Sequence, residues 1–266
     1  MIPTSLSDIL PQCQHEPGKT GYRYYASEPG NSGTISSLML IDQGEGEYTF
    51  DLWSEAQSIP YWKDRMKSVL DTLTCSSIYA ITPASFPWEK LGYRVDVLAH
   101  RYRFFGTLKD IPIPSIPDEA ARWIPAEGQV DSLARILQAS DPACPGWEAA
   151  RQAVGDIYEG IYGMLLNGSG LVELEGRHIG GCLLSDEFGS VLLAHIFTIP
   201  AAKRQGWARW LVAYGLHRYS TNPNQQIKAS LDADNRGSYR LMTTLNLQQV
   251  HERVNVCRIT KESEPS

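Results

Sequence analysis

From Ser190 to Ile199 the chain is nearly unbroken apolar and β-prone, and the run stops at Pro200. A short polar turn carrying Gly206 follows. Trp207, Trp210, Leu211 and Tyr214 then recur at i, i+3, i+4 and i+7, which predicts a helix with one buried face. A strand that feeds a basic, glycine-containing turn at a helix start presents unpaired backbone N–H groups and the positive end of the helix dipole. Such a turn is an anion site and suits a pyrophosphate, with the glycine letting phosphates reach the backbone.

The same reading extends through the C-terminal half. Trp123 to Pro125 predicts a strand. Val130, Leu133, Ile136 and Leu137 form a helical stripe, and residues 147–166 form a second helix. Leu171–Leu174 and Ile179–Leu184 read as a hairpin around Glu175-Gly176-Arg177. Gln226–Leu231 is a strand, Arg236–Leu245 a short helix, and Gln249–Ile259 a closing strand. Upstream, residues 35–42 and 47–53 read as a hairpin, Tyr61–Leu73 as a helix, and Ile78–Ile81 as a strand. Between the halves, Lys109–Pro117 alternates three prolines with other residues and predicts an extended connector, which puts a domain boundary near residue 115.

The chain has 266 residues, 42% of them hydrophobic and 20% charged, enough for one large domain or two small ones. A formal net charge of −6 argues against a nucleic-acid partner and tolerates cationic substrates such as amines. No apolar run suits a signal peptide or a membrane span, so a cytoplasmic protein without membrane association is expected. Cys13, Cys75, Cys144, Cys182 and Cys257 are scattered and never in a C-x-x-C pair, so neither a disulfide framework nor a metal site is indicated.

The residues Ile196, Thr198 and Pro200, followed by Lys203-Arg204-Gln205-Gly206-Trp207-Ala208, resemble the signature of the GNAT superfamily of acyl-CoA-dependent N-acetyltransferases. Lys203 stands where that pattern has Gln or Arg. The β-α-α-β-β-β-α-β-α-β order over residues 121–260 is also similar to that fold. Upstream, Phe86-Pro-Trp-Glu-Lys-Leu-Gly-Tyr93 resembles the ending of the same fold. The turn from Ser54 to Pro60 there has no glycine and carries Glu55 where a phosphate would sit. The resemblance therefore implies an α+β protein with tandem GNAT-like halves, each a mixed sheet flanked by helices. Residues 1–115 would be a truncated copy that does not bind cofactor, and 116–266 a complete domain.

Acyl transfer from a thioester to an amine requires a held donor, a deprotonated amine, an oxyanion donor and an acid for the thiolate. The resemblance implies acetyl-CoA as co-substrate, held by the backbone of Ile196, Phe197 and Thr198 and by the loop and helix start Arg204, Gln205, Gly206, Trp207, Ala208 and Arg209. It also implies Asn235 near the reactive end, although asparagine is equally a favoured helix N-cap. Many relatives carry a tyrosine seven residues beyond that asparagine; here the position is Met242, which cannot donate a proton. Tyr239, on a neighbouring helix face, is a substitute acid, with core packing as its alternative role. The tyrosine-free version looks like the glycine N-acyltransferase branch.

The base is open among Asp232, by strand parity, His195, by intrinsic pKa, and solvent, because Ser230 occupies the position where some relatives have a carboxylate. Cys182 reads as a buried strand residue and not as a nucleophile. The implied enzyme acetylates a small-molecule primary amine by direct attack, with a protein N-terminus or lysine as a further acceptor class and a homodimer compatible. The rival reading is a GNAT-like coenzyme A-binding or regulatory module.

Overall fold

In a computed structural model, residues 10, 12–15, 22–29, 35–44, 47–54, 58–73, 77–141, 144, 146–250 and 253–261 are described. In chain order the first strands are β1 (Gln12–His15), β2 (Tyr22–Pro29), β3 (Ile35–Gly44) and β4 (Glu47–Trp53), followed by helix α1 (Ile59–Leu70), β5 (Ser77–Pro83) and β6 (Tyr93–Thr107). Next come β7 (Arg122–Pro125), α2 (Val130–Ser140), α3 (Trp147–Tyr158), β8 (Met164–Leu165), β9 (Gly170–Leu174), β10 (Arg177–Glu187) and β11 (Ser190–Thr198). The chain ends with α4 (Trp207–Tyr219), β12 (Gln226–Asp232), α5 (Arg236–Thr244), β13 (Gln248–Gln249) and β14 (Val254–Lys261).

These elements form two compact units. The first comprises Met1–Arg103, Leu231–Asp234 and Gln249–Ser266, and the second Phe104–Ser230 and Asn235–Gln248. The chain therefore changes unit at Arg103/Phe104, upstream of the proline connector. Residues 111–116 belong to no helix or strand, and both ends of that connector lie inside the second unit.

In the first unit the sheet runs β1-β2-β3-β4-β5-β14-β6, antiparallel throughout except for β4 and β5, which are parallel. The parallel pair needs a crossover, and α1 supplies it. Ile59, Trp62, Met66, Val69 and Leu70 fall on one stripe of α1 and bury into a core with Leu38, Leu40, Phe50, Leu52 and Ile78. The hairpin, helix and strand read from the first half are thus present, preceded by β1 and β2, which the apolar pattern did not reveal. Glu55, Ala56 and Gln57 of the Ser54–Pro60 turn lie outside the described residues.

The closing strand is the main correction. β14 does not complete the second unit's sheet; it lies between β5 and β6, with Cys257 opposite Ala80 on one side and Val97 on the other. Its alternation suits any half-buried sheet, so the choice of partner was decided by tertiary pairing.

In the second unit the sheet runs β12-β11-β10-β9-β7, with β8 on β10. β9 and β10 form the expected hairpin, with Glu175 and Gly176 both left-handed (φ 51° and 73°) as a two-residue turn matching strand twist demands. A Cβ at Gly181 would meet Leu133 of α2, and one at Gly180 would meet Leu211 of α4. Successive strand residues face opposite ways, so α2 and α4 cover opposite faces. Leu133, Ile136, Leu137, Val154 and Ile157 bury with Leu171, Leu183 and Phe197 on the α2–α3 side.

Two helices depart from the reading. α3 stops at Tyr158 and not at residue 166. Gly163 adopts φ 102°, a side chain there would strike the Asp186 carbonyl, and the chain turns into β8. Helix α4 buries Val212, Ala213, Gly215 and Leu216 as well as the expected Trp207, Trp210 and Leu211, while Tyr214 is half-buried and stacks on Trp210 at 4.6 Å.

A fragment beginning at residue 116 is expected not to fold as a cooperative unit. It lacks the Leu108 and Lys109 N–H groups that donate to the Gln225 and Pro223 carbonyls, and the Phe104 ring that packs edge-on against Tyr239. Calorimetric unfolding of that fragment checks this, and a single sharp transition would restore the boundary near 115.

Candidate active site

Strand β11 pairs with β12 in parallel at only two positions, Val191 with Ile227 and Leu192 with Lys228. Beyond Leu192 the ladder stops, so Leu193–Thr198 of β11 keeps backbone groups on that edge that β12 does not take up. On the other edge β11 pairs with β10, and the register slips: Leu183 faces His195 while Leu184 faces Leu193. Ala194 is the extra residue of a β-bulge, which leaves a backbone group outside the ladder and turns it away from β10. The sequence Leu192–Ile196 hides both features, because no single residue type marks a bulge.

The strand ends in the predicted anion site. Pro200–Ala202 forms a 3-10 turn, Arg204 adopts φ 65° and Gly206 φ 90°, and α4 begins at Trp207 with Gly206 as its N-cap. The first intrahelical donor is Trp210 N to Gly206 O at 3.0 Å. The N–H groups of Trp207, Ala208 and Arg209 thus have no helical acceptor, and no side chain caps them. Alternating left-handed residues leading into a helix N-terminus make an anion-binding concavity.

The side chains around this loop brace it. Gln205 Nε2 donates to the Ala201 carbonyl at 2.8 Å, and Gln205 Oε1 accepts from Trp207 Nε1 at 3.4 Å. Trp207 is buried, so it offers a ligand its N–H alone. Lys203, the departure from the signature, donates to the Ser140 carbonyl at 3.2 Å, where its charge favours the negative end of α2. Arg204 is exposed, and Ala208 and Arg209 are half-buried.

The remaining candidates divide between the units. His195 is half-buried at the bulge, its ring 6.4 Å from that of Phe197. Asn235 is exposed and caps α5, its Oδ1 accepting from Ser238 N at 3.0 Å, which leaves the amide Nδ2 as the group a ligand would use. Tyr239 is half-buried on α5, 5.3 Å from Phe104. Met242 is buried in the core. Asp232 falls in the first unit, where its carboxylate accepts from Arg101 Nε at 3.0 Å. The structure therefore groups His195, Ile196–Thr198, Arg204–Arg209, Asn235 and Tyr239 in one unit and Asp232 in the other. Cys182, opposite Ile196, is fully buried, and burial pushes its thiol far up, so no thiolate forms there.

Sequence reasoning also missed a buried ion pair. Lys228 Nζ lies 2.9 Å from Glu187 Oε2, with side-chain exposures of 0% and 5%. It sits at the last rung of the parallel ladder, just before the strands part. Removing one partner would leave a buried uncompensated charge, so Lys228→Ala is expected to cost about 3–5 kcal/mol by denaturant unfolding. The double variant Lys228→Met with Glu187→Leu should recover most of that loss; equal loss in both would mean the pair is not what holds the rung.

The chain has the tandem mixed-sheet fold of the GCN5-related N-acetyltransferases, with the bulge and the glycine-capped helix start in the second unit. Among solved structures, the chain is similar to a tandem GNAT protein from the clavulanic acid biosynthesis pathway, solved without AcCoA. The TM-score is 0.55 and the identity 10%, over 95% of this chain and 86% of that one. It is also similar to a GCN5-related N-acetyltransferase from Sphaerobacter thermophilus, with a TM-score of 0.50 and 12% identity over 92% of this chain and 81% of that one. At such identities the likeness is one of fold. No protein-family model and no curated protein matches the chain. Among the described residues, no helix is long and apolar enough to cross a membrane.

Proposed function

We propose that the chain is an acyl-CoA-dependent N-acyltransferase that moves an acetyl group to a small primary amine by direct attack. The observation that carries this reading is the termination of the β11–β12 ladder at Leu192 and Lys228, directly upstream of the Gly206 helix start. An unladdered strand edge of pantetheine length leading into an anion concavity suits an acyl-CoA better than a free nucleotide or a simple anion. Bound there, an acyl-CoA supplies the thioester whose carbonyl an amine attacks.

The backbone of Ile196, Phe197 and Thr198 pairs with the pantetheine arm, and the N–H groups of Trp207, Ala208 and Arg209 hold the pyrophosphate. A backbone N–H turned out of the β10 ladder at the Ala194 bulge donates to the carbonyl oxygen as negative charge develops on it, a role worth several kcal/mol when preorganised. Asn235 Nδ2 hydrogen-bonds the arm near its reactive end. The amine's proton passes to His195 or to solvent; Asp232 is already engaged by Arg101. The nitrogen–carbon bond forms, the carbon–sulfur bond breaks, and Tyr239 returns a proton to the thiolate. Buried Met242, at the position of the usual tyrosine, favours a second reading, a module that binds coenzyme A without turning it over.

Titration calorimetry of the full chain with acetyl-CoA, followed by thiol release across a panel of amines, tests both. Binding with thiol release supports the enzyme, and binding without release on any amine supports the module. No binding of acetyl-CoA or coenzyme A to folded protein overturns both.

A further inference from the structure

The first unit contains its own counterpart of the parting strands. β4 and β5 run parallel and pair at Thr49 with Tyr79, Phe50 with Ala80 and Asp51 with Ile81, and the ladder then stops. Only Leu52 and Trp53 extend β4 beyond that point, against six residues of β11 in the second unit. In the second unit the equivalent edge offers its backbone to a ligand. In the first unit a side chain has taken it.

That side chain is Arg103, which is 1% exposed. Its Nη1 donates to the Leu52 carbonyl, the first acceptor beyond the ladder. Its Nη2 donates to the carboxylate of Asp51, the last laddered residue. Its guanidinium carbon lies 4.3 Å from the centroid of the Trp53 ring. A carboxylate, a carbonyl and an aromatic face together form a receptacle matched to a planar cation with forked donors.

We propose that Arg103 is an internal plug that closes the first unit's counterpart of the acyl slot, so that the tandem chain carries a single coenzyme A site. The proposal rests on the reading of the β11–β12 split as the acyl slot. It goes further in naming what occupies the equivalent place in the other unit and why no pantetheine can pair there. The buried guanidinium fills the space in front of the Leu52 carbonyl that an incoming amide would need. Displacing the guanidinium would leave the half-buried Asp51 carboxylate without its partner.

The test uses the full chain and two readouts. Coenzyme A titrated calorimetrically into wild type should bind once per chain. Arg103→Ala should lower the melting temperature by about 6–20 °C, as expected for removing one member of a buried pair. Millimolar methylguanidinium should restore much of that shift in Arg103→Ala while leaving wild type unchanged, and tetramethylammonium should not. Arg103→Lys keeps the charge without the fork and covers the case in which the alanine variant fails to fold; it should melt below wild type and gain nothing from methylguanidinium.

A wild-type melting temperature in Arg103→Ala, or rescue by any cation alike, would overturn the plug. So would two coenzyme A molecules per wild-type chain. A chain that binds none at all would sink the acyltransferase reading, while the rescue arm would still decide whether Arg103 fills a built receptacle.

Discussion

Gly206→Glu should abolish coenzyme A binding in a protein that remains folded. A Cβ at this position would meet only the Pro117 Cγ at 3.7 Å, so the side chain has room, and the penalty comes from φ 90°. Placing a non-glycine residue in that region costs about 1–2 kcal/mol, a shift in melting temperature and not a collapse. A carboxylate at a helix start favours the helix, which offsets part of that cost. The loss therefore belongs to the site, because the new carboxylate occupies the concavity and repels a pyrophosphate from it. Gly206→Asn is the control: asparagine tolerates the left-handed region and adds no charge, so affinity should fall far less. Equilibrium titration of both variants checks the expectation, and unchanged affinity in folded Gly206→Glu would remove the loop from the site.

The second large effect concerns proton donation. Tyr239→Phe should lower turnover by about 10²–10⁴-fold, the usual worth of a general acid, with acetyl-CoA affinity nearly intact. The ring's edge-on contact with Phe104 survives the loss of the hydroxyl, so packing is not the cause. Met242→Ala should do the opposite. Met242 is buried, its truncation leaves a cavity costing about 2–5 kcal/mol, and turnover per folded molecule should hold. Steady-state kinetics beside thermal unfolding separates the two patterns. Wild-type turnover in Tyr239→Phe would hand the proton to solvent and leave the acyltransferase reading standing.

Much of this site could be read from local pattern. The apolar, β-prone run of β11, the stop at Pro200 and the helical spacing from Trp207 onward are each written within a few residues. A glycine at a turn states its own conformational need, and φ 90° at Gly206 meets it. The Glu175-Gly176 turn was legible for the same reason. Asn235 was legible as a cap, and the structure shows it capping through Oδ1.

Other features depend on partners far away in the chain. Lys228 sits in a strand where a charged residue ordinarily faces water, yet it is buried because Glu187, 41 residues earlier, meets it across the sheet. Arg103 is buried because Asp51, Leu52 and Trp53 meet its guanidinium. The bulge at Ala194 and the end of the ladder at Leu192 are properties of pairs of strands, and no residue type announces them. β14 read correctly as a strand but joined the first unit, since alternation records that one face is buried and not what buries it.

The sequence by itself determined the succession of strands and helices, the glycine-capped anion turn and the absence of a tyrosine at residue 242, because each depends on backbone preference and side-chain chemistry within a few residues. Only the tertiary structure decided where the parallel strands part, which charges are buried and which unit receives the last strand. Those outcomes follow from strand register and from partners tens of residues distant, whose contact energies no local pattern encodes.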